Sequence, residues 1–143
     1  MKQVWKTIVL GAAVMLAGCG SSSHNNINGN WTATLASSNA TNILLTLSLS
    51  QSSSNSLSVS NIAFSTGSAC FSQGASGTGS FTASGNTSGN VSGTLQLTIQ
   101  ASGSTDQLSL QGTLNNNTIN GSWTLSGTGA GCTGSGTFVM TKQ

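Results

Sequence analysis

Residues Val91 to Ala101, which read Val-Ser-Gly-Thr-Leu-Gln-Leu-Thr-Ile-Gln-Ala, alternate strictly between two classes of residue. Apolar or small residues occupy every second position, and Ser, Thr or Gln residues occupy the positions between them. Because successive side chains of a β-strand point to opposite faces, this period of two is typical of a strand with one buried and one solvated face.

The same alternation recurs on both sides of this run. After the cysteine at position 19, no stretch of the sequence has a credible helical period. The pattern predicts eight strands, at about residues 30–36, 41–51, 56–66, 78–85, 91–101, 106–115, 118–127 and 134–141.

The third predicted strand contains a phase shift. Leu57 and Val59 are in phase with each other but out of phase with Ile62 and Phe64. One extra residue near positions 60–61 would bring both pairs to the same face, so we predict a β-bulge there.

The connections between these strands are short and have turn chemistry. Residues 102–104 (Ser-Gly-Ser) and 115–117 (Asn-Asn-Asn) contain the residue types that tolerate positive φ in hairpin turns. Sequential strands are therefore expected to pair as antiparallel neighbours. Closing an eight-stranded up-and-down meander into a small barrel buries one face and removes both edge strands. A two-sheet β-sandwich is the alternative architecture.

The predicted core consists of the large apolar residues on the inward side of the alternation. Many other inward positions hold only Gly, Ala or Ser, which allows either a tightly drawn barrel or a barrel with space inside. The core residues are expected to be Trp31, Leu35, Ile43, Leu45, Leu47, Leu49, Val59, Phe64, Phe81, Leu95, Leu97, Ile99, Leu108, Leu110, Leu114, Trp123, Leu125, Phe138 and Met140.

The N-terminus has the organisation of an export signal. Lys2 and Lys6 precede an apolar run at 7–16, which is about ten residues long and too short to span a bilayer as a helix. A positive end, a short apolar segment and small residues after it are typical of a signal peptide. We therefore predict that residues 1–18 are a signal peptide.

The end of this segment, Leu16-Ala-Gly-Cys19, resembles the lipobox of bacterial lipoproteins. The resemblance implies lipidation of Cys19, cleavage before it, and attachment to the membrane through the acyl chains. Because Gly20 rather than Asp follows the cysteine, it also implies the outer membrane, or the cell surface in an organism with one membrane. The predicted organisation is a signal peptide, a lipidated cysteine with a polar tether (19–29), and a single β domain (30–143).

The predicted mature chain holds one acid, Asp106, one base, Lys142, and one histidine, His24. Nucleic-acid binding needs a basic surface, which is missing. General acid–base catalysis needs positioned titratable groups, and a catalytic triad or carboxylate pair cannot be assembled. We therefore expect no enzyme activity, no cofactor and no ordinary metal site built from side chains.

Two cysteines remain after Cys19. Cys70 lies in a Gly/Ser-rich segment (67–77) predicted to follow the third strand, and Cys132 lies between the last two strands. An even pair of cysteines in an exported protein is expected to form a disulfide. Both connections follow odd-numbered strands and open at the same end of a meander, so the bridge is topologically allowed. By the loop-entropy model this ring would contribute roughly 4 kcal/mol. A redox or metal-binding pair is the alternative.

A six-residue motif occurs twice, as Ile27-Asn-Gly-Asn-Trp-Thr32 and Ile119-Asn-Gly-Ser-Trp-Thr124. The first copy contains Gly29-x-Trp31 at the start of the first strand, which resembles the calycin barrels, the lipocalins and avidins. That resemblance implies that Trp31 closes one end of the barrel and that the protein binds a small ligand.

Two functions follow as hypotheses. The first is a non-catalytic, lipid-anchored envelope or surface lipoprotein with a structural role or a protein partner. The alternative is a β-barrel that binds a small uncharged ligand, apolar or sugar-like, for which the aromatic candidates are Trp31, Phe71 and Trp123.

Overall fold

A computed structural model of the chain describes residues 27–37, 42–52, 55–65, 69–87 and 90–143. A short 3₁₀ turn at Ala69–Phe71 lies between the third and fourth strands. In the described part of the chain, no helix has the length and apolar character needed to cross a membrane. The strands are β1 (Gly29–Ala36), β2 (Ile43–Gln51), β3 (Ser56–Phe64), β4 (Ala75–Thr87), β5 (Asn90–Ala101), β6 (Gln107–Asn115), β7 (Thr118–Ser126) and β8 (Gly134–Lys142).

The eight strands form one closed antiparallel barrel in sequence order. Each strand pairs with the next, and β1 closes the barrel against β8 with Trp31 opposite Lys142 and Ala36 opposite Thr137. The predicted up-and-down barrel is confirmed, and the sandwich alternative is wrong. Closure supplies a partner for both β1 and β8, which would otherwise be edge strands.

One strand differs from its prediction. β4 begins at Ala75 rather than residue 78, because Ala75, Ser76 and Gly77 pair with Ala101, Gln100 and Ile99 of β5. The segment 67–77 is therefore not all loop. The inward positions here are Ala and Gly, which carry no apolar signal in the sequence. The other predicted boundaries agree with the observed ones to within two residues.

The predicted β-bulge is confirmed. Thr46 of β2 pairs with Ala63 and Ser48 pairs with Ser60, so β3 has one more residue than β2 across this step. Asn61 adopts a φ of 52° at the bulge. This extra residue lets Leu57, Val59, Ile62 and Phe64 all pack against the core.

The inward glycines accommodate aromatic rings. A methyl group added at Gly93 would overlap the Phe81 ring, and one added at Gly112 would lie 2.9 Å from Cζ of Phe138. Both rings are almost fully buried. Of the two barrel types that the small inward residues allow, the packing favours the tightly drawn one.

The predicted core is largely confirmed, with Ile43, Val59 and Phe64 partly buried at its margin. Leu57, Phe71 and Ile119 also belong to the core, and so does Ile27, which is fully buried. Ile27 was expected in the polar tether, but its side chain packs with the barrel core. The predicted signal peptide (1–18), Cys19 and His24 lie outside the described residues.

The two ends of the barrel are built differently. We call the end with Ile27, Lys142 and the β2–β3 and β6–β7 turns the terminal end, because the start of β1 and the end of β8 lie there. The opposite end carries the β3–β4, β5–β6 and β7–β8 connections, and we call it the disulfide end.

Candidate functional site: the disulfide end and the outer wall

Cys70 and Cys132 form a disulfide, as predicted, with their Cα atoms 5.6 Å apart and 62 residues between them in sequence. The bond joins the β3–β4 connection to the β7–β8 connection across the disulfide end. In the loop-entropy model a ring of this size stabilises the fold by roughly 4 kcal/mol. The disulfide thereby restrains two loops that strand pairing holds only where each loop joins its strands.

Phe71 follows Cys70 and turns into the same end of the barrel. Its ring stacks on Phe64, with the centroids 4.3 Å apart and the planes at 9°. The segment then bonds to the β5–β6 connection through Ser102, whose N–H donates to the Gly74 carbonyl at 2.9 Å. Three connections at this end are therefore joined to one another.

Asp106 is the buried acid of this end, with 6% of its surface exposed. It ends the β5–β6 connection, where its N–H donates to Ser104 Oγ at 3.1 Å. Its Oδ1 accepts the Thr128 N–H at 3.1 Å, which ties the β7–β8 connection to β6. The close approach depends on Gly127, because a Cβ there would overlap the Asp106 carboxylate.

Asp106 also lies beside the disulfide. One carboxylate oxygen and the two sulfurs of Cys70 and Cys132 all lie within 4.8 Å of one another. From sequence we expected no side-chain metal site, because a lone acid and two distant cysteines do not form a motif. The barrel brings the three together from separate connections, and no spacing rule could have found them. In the disulfide form the sulfurs are bonded to each other.

The three aromatic candidates for ligand binding are not brought to one site. Trp31 lies at the terminal end, where its Nε1–H donates to the Ile27 carbonyl at 2.8 Å. Trp123 lies on β7 nearer the disulfide end, and its Nε1–H donates to the Ala36 carbonyl at 3.0 Å. Both rings are buried with Phe71 in the core. Their role in ligand binding stays a prediction.

The outer wall of the barrel is polar and uncharged. On β5, β6 and β7 the outward residues form two cross-strand rows, Gln96–Gln111–Ser122 and Thr98–Ser109–Thr124. These six side chains line an open groove of about 290 Å³. No role was predicted for these side chains from the sequence, in which they form the polar side of the alternation. Among the described residues, Val139 is the large apolar side chain left exposed.

A second open groove, of about 450 Å³, lies on the opposite wall over β1 and β2. Asn30, Ser48 and Asn61 are among its lining residues, and Ser48 Oγ donates to Asn30 Oδ1 at 2.7 Å. Asn61 Nδ2 donates to Ser48 Oγ at 3.0 Å, which joins the bulge of β3 to this network. These amides and hydroxyls are already engaged with one another, whereas the β5–β7 groove presents its two glutamines in a cross-strand pair.

The two charged side chains of the described residues lie at opposite ends. Asp106 precedes β6 at the disulfide end, and Lys142 ends β8 at the terminal end. The wall between them carries hydroxyl and amide groups. Any contact made by the wall therefore depends on hydrogen bonds and shape rather than on charge.

No protein-family model, curated protein or solved structure matches this chain. The lipobox and calycin resemblances remain predictions from the sequence.

Proposed function

We propose that this chain is a non-catalytic, lipid-anchored envelope or surface lipoprotein whose barrel presents a rigid, uncharged wall to a protein partner. The observation that carries the proposal is the packing of the interior, where rings such as Phe81 and Phe138 occupy the space above inward glycines. Because these inward positions are filled by the chain itself, the groups that remain available for recognition lie on the outer wall and at the two ends of the barrel.

The position of Ile27 supports an anchor at the terminal end. Ile27 is fully buried there, and Cys19 precedes it by eight residues. At about 3.3–3.6 Å per residue, that segment reaches at most about 29 Å. Lipidation of Cys19 would hold the terminal end close to the membrane surface and leave the wall and the disulfide end accessible.

The composition of the wall supports a partner recognised without ion pairs. Threonine, serine, glutamine and asparagine face outward along the strands, and the pairing registers place them in continuous rows. Hydroxyls and amides bind through short-range hydrogen bonds that salt screens little. Association with the partner should therefore change little between low and high salt.

The anchor is tested by fractionating cells that express the wild type, Cys19→Ser or Cys132→Ser. We expect the wild type and Cys132→Ser in the membrane fraction and Cys19→Ser in the soluble fraction. Cys132→Ser is the matched control, because it removes another cysteine without touching the proposed lipid attachment. Membrane association of the Cys19→Ser chain equal to that of the wild type would refute the anchor.

The partner is tested by photo-cross-linking from single exposed positions in living cells. Suitable positions are Gln111 and Thr34 on the wall, Thr133 at the disulfide end and Asn116 at the terminal end. We expect a discrete protein adduct from at least one wall or disulfide-end position, with a yield that is unchanged at high salt. Failure of all wall and disulfide-end positions to form an adduct would argue against a protein partner.

A second candidate function, the binding of a sugar-like ligand, is favoured by the groove over β5–β7. Two amides, Gln96 and Gln111, and four hydroxyls line it without any charge, which suits the hydroxyls of a neutral glycan. A glycan array followed by NMR titration tests it. Gln96→Ala/Gln111→Ala should abolish binding, whereas Gln107→Ala, outward on β6 but outside the groove, should not.

A further inference from the structure

We propose that the disulfide end is a redox-gated metal site, in which Cys70, Cys132 and Asp106 bind a thiophilic divalent cation such as Zn²⁺ once the disulfide is reduced. The proposal does not depend on the lipid anchor or on a protein partner. It rests on the proximity of three donor groups and on the burial and hydrogen bonding of the Asp106 carboxylate.

The three donor atoms are already close enough for one ion. Both sulfurs and one carboxylate oxygen lie within 4.8 Å of one another. Around a tetrahedral zinc, with Zn–S near 2.3 Å and Zn–O near 2.0–2.2 Å, neighbouring donor atoms are about 3.5–3.8 Å apart. Small side-chain rotations after the sulfurs separate would therefore complete the geometry without rearranging the strands.

The Asp106 carboxylate is an independent indication of a cation. It is 6% exposed, and its Oδ1 accepts one N–H, from Thr128. Within the described part of the chain, no hydrogen bond reaches its Oδ2. A buried carboxylate with an oxygen that lacks a partner is costly, and a bound cation would offset that cost. The Thr128 N–H would then act as the group that orients the ligand.

The chemistry requires a reductant, which we take to be a dithiol. Two electrons and two protons pass from the dithiol to the Cys70–Cys132 bond, so that the S–S bond breaks, two S–H bonds form and the dithiol becomes a disulfide. The cation then displaces the two thiol protons to solvent, and water fills the remaining position. In the reverse direction a small-molecule disulfide is the oxidant: thiol–disulfide exchange moves two electrons from the two thiolates to it, the Cys70–Cys132 bond forms again, the oxidant takes two protons from solvent and leaves as two thiols, and the ion is released. The β3–β4 and β7–β8 connections would thus stay joined under both oxidising and reducing conditions.

The site is tested in the full chain with Cys19→Ser, so that Cys70 and Cys132 are its two cysteines. A phosphine reduces the disulfide with water, giving a phosphine oxide and two thiols, and Co²⁺ is then titrated without oxygen. We expect one equivalent to produce a thiolate-to-cobalt charge-transfer band that Zn²⁺ abolishes by displacement. The oxidised protein should give no band.

Variants distinguish a site that uses all three donor groups from binding of Co²⁺ by the thiols alone. Asp106→Asn keeps an acceptor for the Thr128 N–H but replaces a carboxylate ligand with an amide, and it should weaken Co²⁺ binding by about tenfold or more. Cys70→Ala should abolish the band. Circular dichroism monitors the barrel in every sample.

Three results would overturn the proposal. The first is a reduced, folded protein that gives no thiolate band. The second is an Asp106→Asn chain that binds Co²⁺ as tightly as its parent. The third is a reduced protein that loses the circular dichroism of the barrel and does not regain it with Zn²⁺.

Discussion

The two ends of the barrel are held together by different contacts. At the terminal end, Trp31 is held by the carbonyl of Ile27, four residues earlier in the chain. At the disulfide end, Cys70 forms a disulfide with Cys132, 62 residues later, and the Asp106 carboxylate accepts a hydrogen bond from the Thr128 N–H. The terminal end therefore depends on contacts within a short stretch of sequence, whereas the disulfide end depends on contacts between connections that are far apart in sequence.

The largest effect should follow the loss of the Trp31 ring, which is buried at the terminal end. Trp31→Ala removes a fully buried indole and should lower the free energy of unfolding by about 3–5 kcal/mol. Trp31→Phe keeps a ring and loses the hydrogen bond to Ile27, so it should cost less. Urea unfolding measures both, and a loss below about 1 kcal/mol for Trp31→Ala would contradict the assigned packing.

The next effect should be loss of the covalent link at the other end. Cys70→Ala/Cys132→Ala should cost about 2–5 kcal/mol while leaving the circular dichroism of the barrel intact. Amide hydrogen exchange should accelerate at the β3–β4 and β7–β8 connections and change little around Trp31. Equal acceleration of exchange at both ends would show that the contacts at one end do not stabilise it independently of the other end.

A smaller effect is expected from Asp106. Asp106→Ala leaves the Thr128 N–H without its acceptor and should cost about 1–3 kcal/mol in unfolding free energy. Asp106→Asn retains an acceptor and should cost less. If the two substitutions destabilise the protein equally, the hydrogen bond to Thr128 is not what holds the β7–β8 connection.

The smallest effect is expected from Ile27, at the terminal end. Ile27→Val should cost about 0.5–1.5 kcal/mol, because Ile27 is fully buried although it precedes β1. Ile119→Val, at the matching position of the repeated motif and equally buried, is the control. A cost at Ile119 with none at Ile27 would place Ile27 outside the packed domain.

The sequence predicted the part of the fold that depends on period-two alternation and turn chemistry. Eight strands, their order and the bulge at Asn61 follow from such local patterns. The start of β4 could not be predicted, because its inward Ala75 and Gly77 carry no apolar signal. The burial of Ile27 was missed because a single apolar residue next to a polar segment has no periodicity.

The candidate site was predictable only in part. The pairing of Cys70 with Cys132 was predicted because an even pair of cysteines remains in a chain expected to be exported, and the strand order allows it, since connections after odd-numbered strands share one end of a meander. The position of Asp106 beside them depends on the lengths of three connections and on the close approach allowed by Gly127. Such details are set by tertiary packing, which no motif in the sequence records.

Native mass spectrometry of the protein, extracted from membranes in mild detergent, tests both the proposed lipid anchor and the proposed filling of the barrel by its own side chains. We predict a chain that begins at Cys19, carries a diacylglycerol, lacks two hydrogens because of the Cys70–Cys132 bond, and releases no further molecule on collisional activation. A chain that keeps Met1 and carries no lipid would contradict the anchor. A discrete small molecule released on activation would contradict the filled barrel.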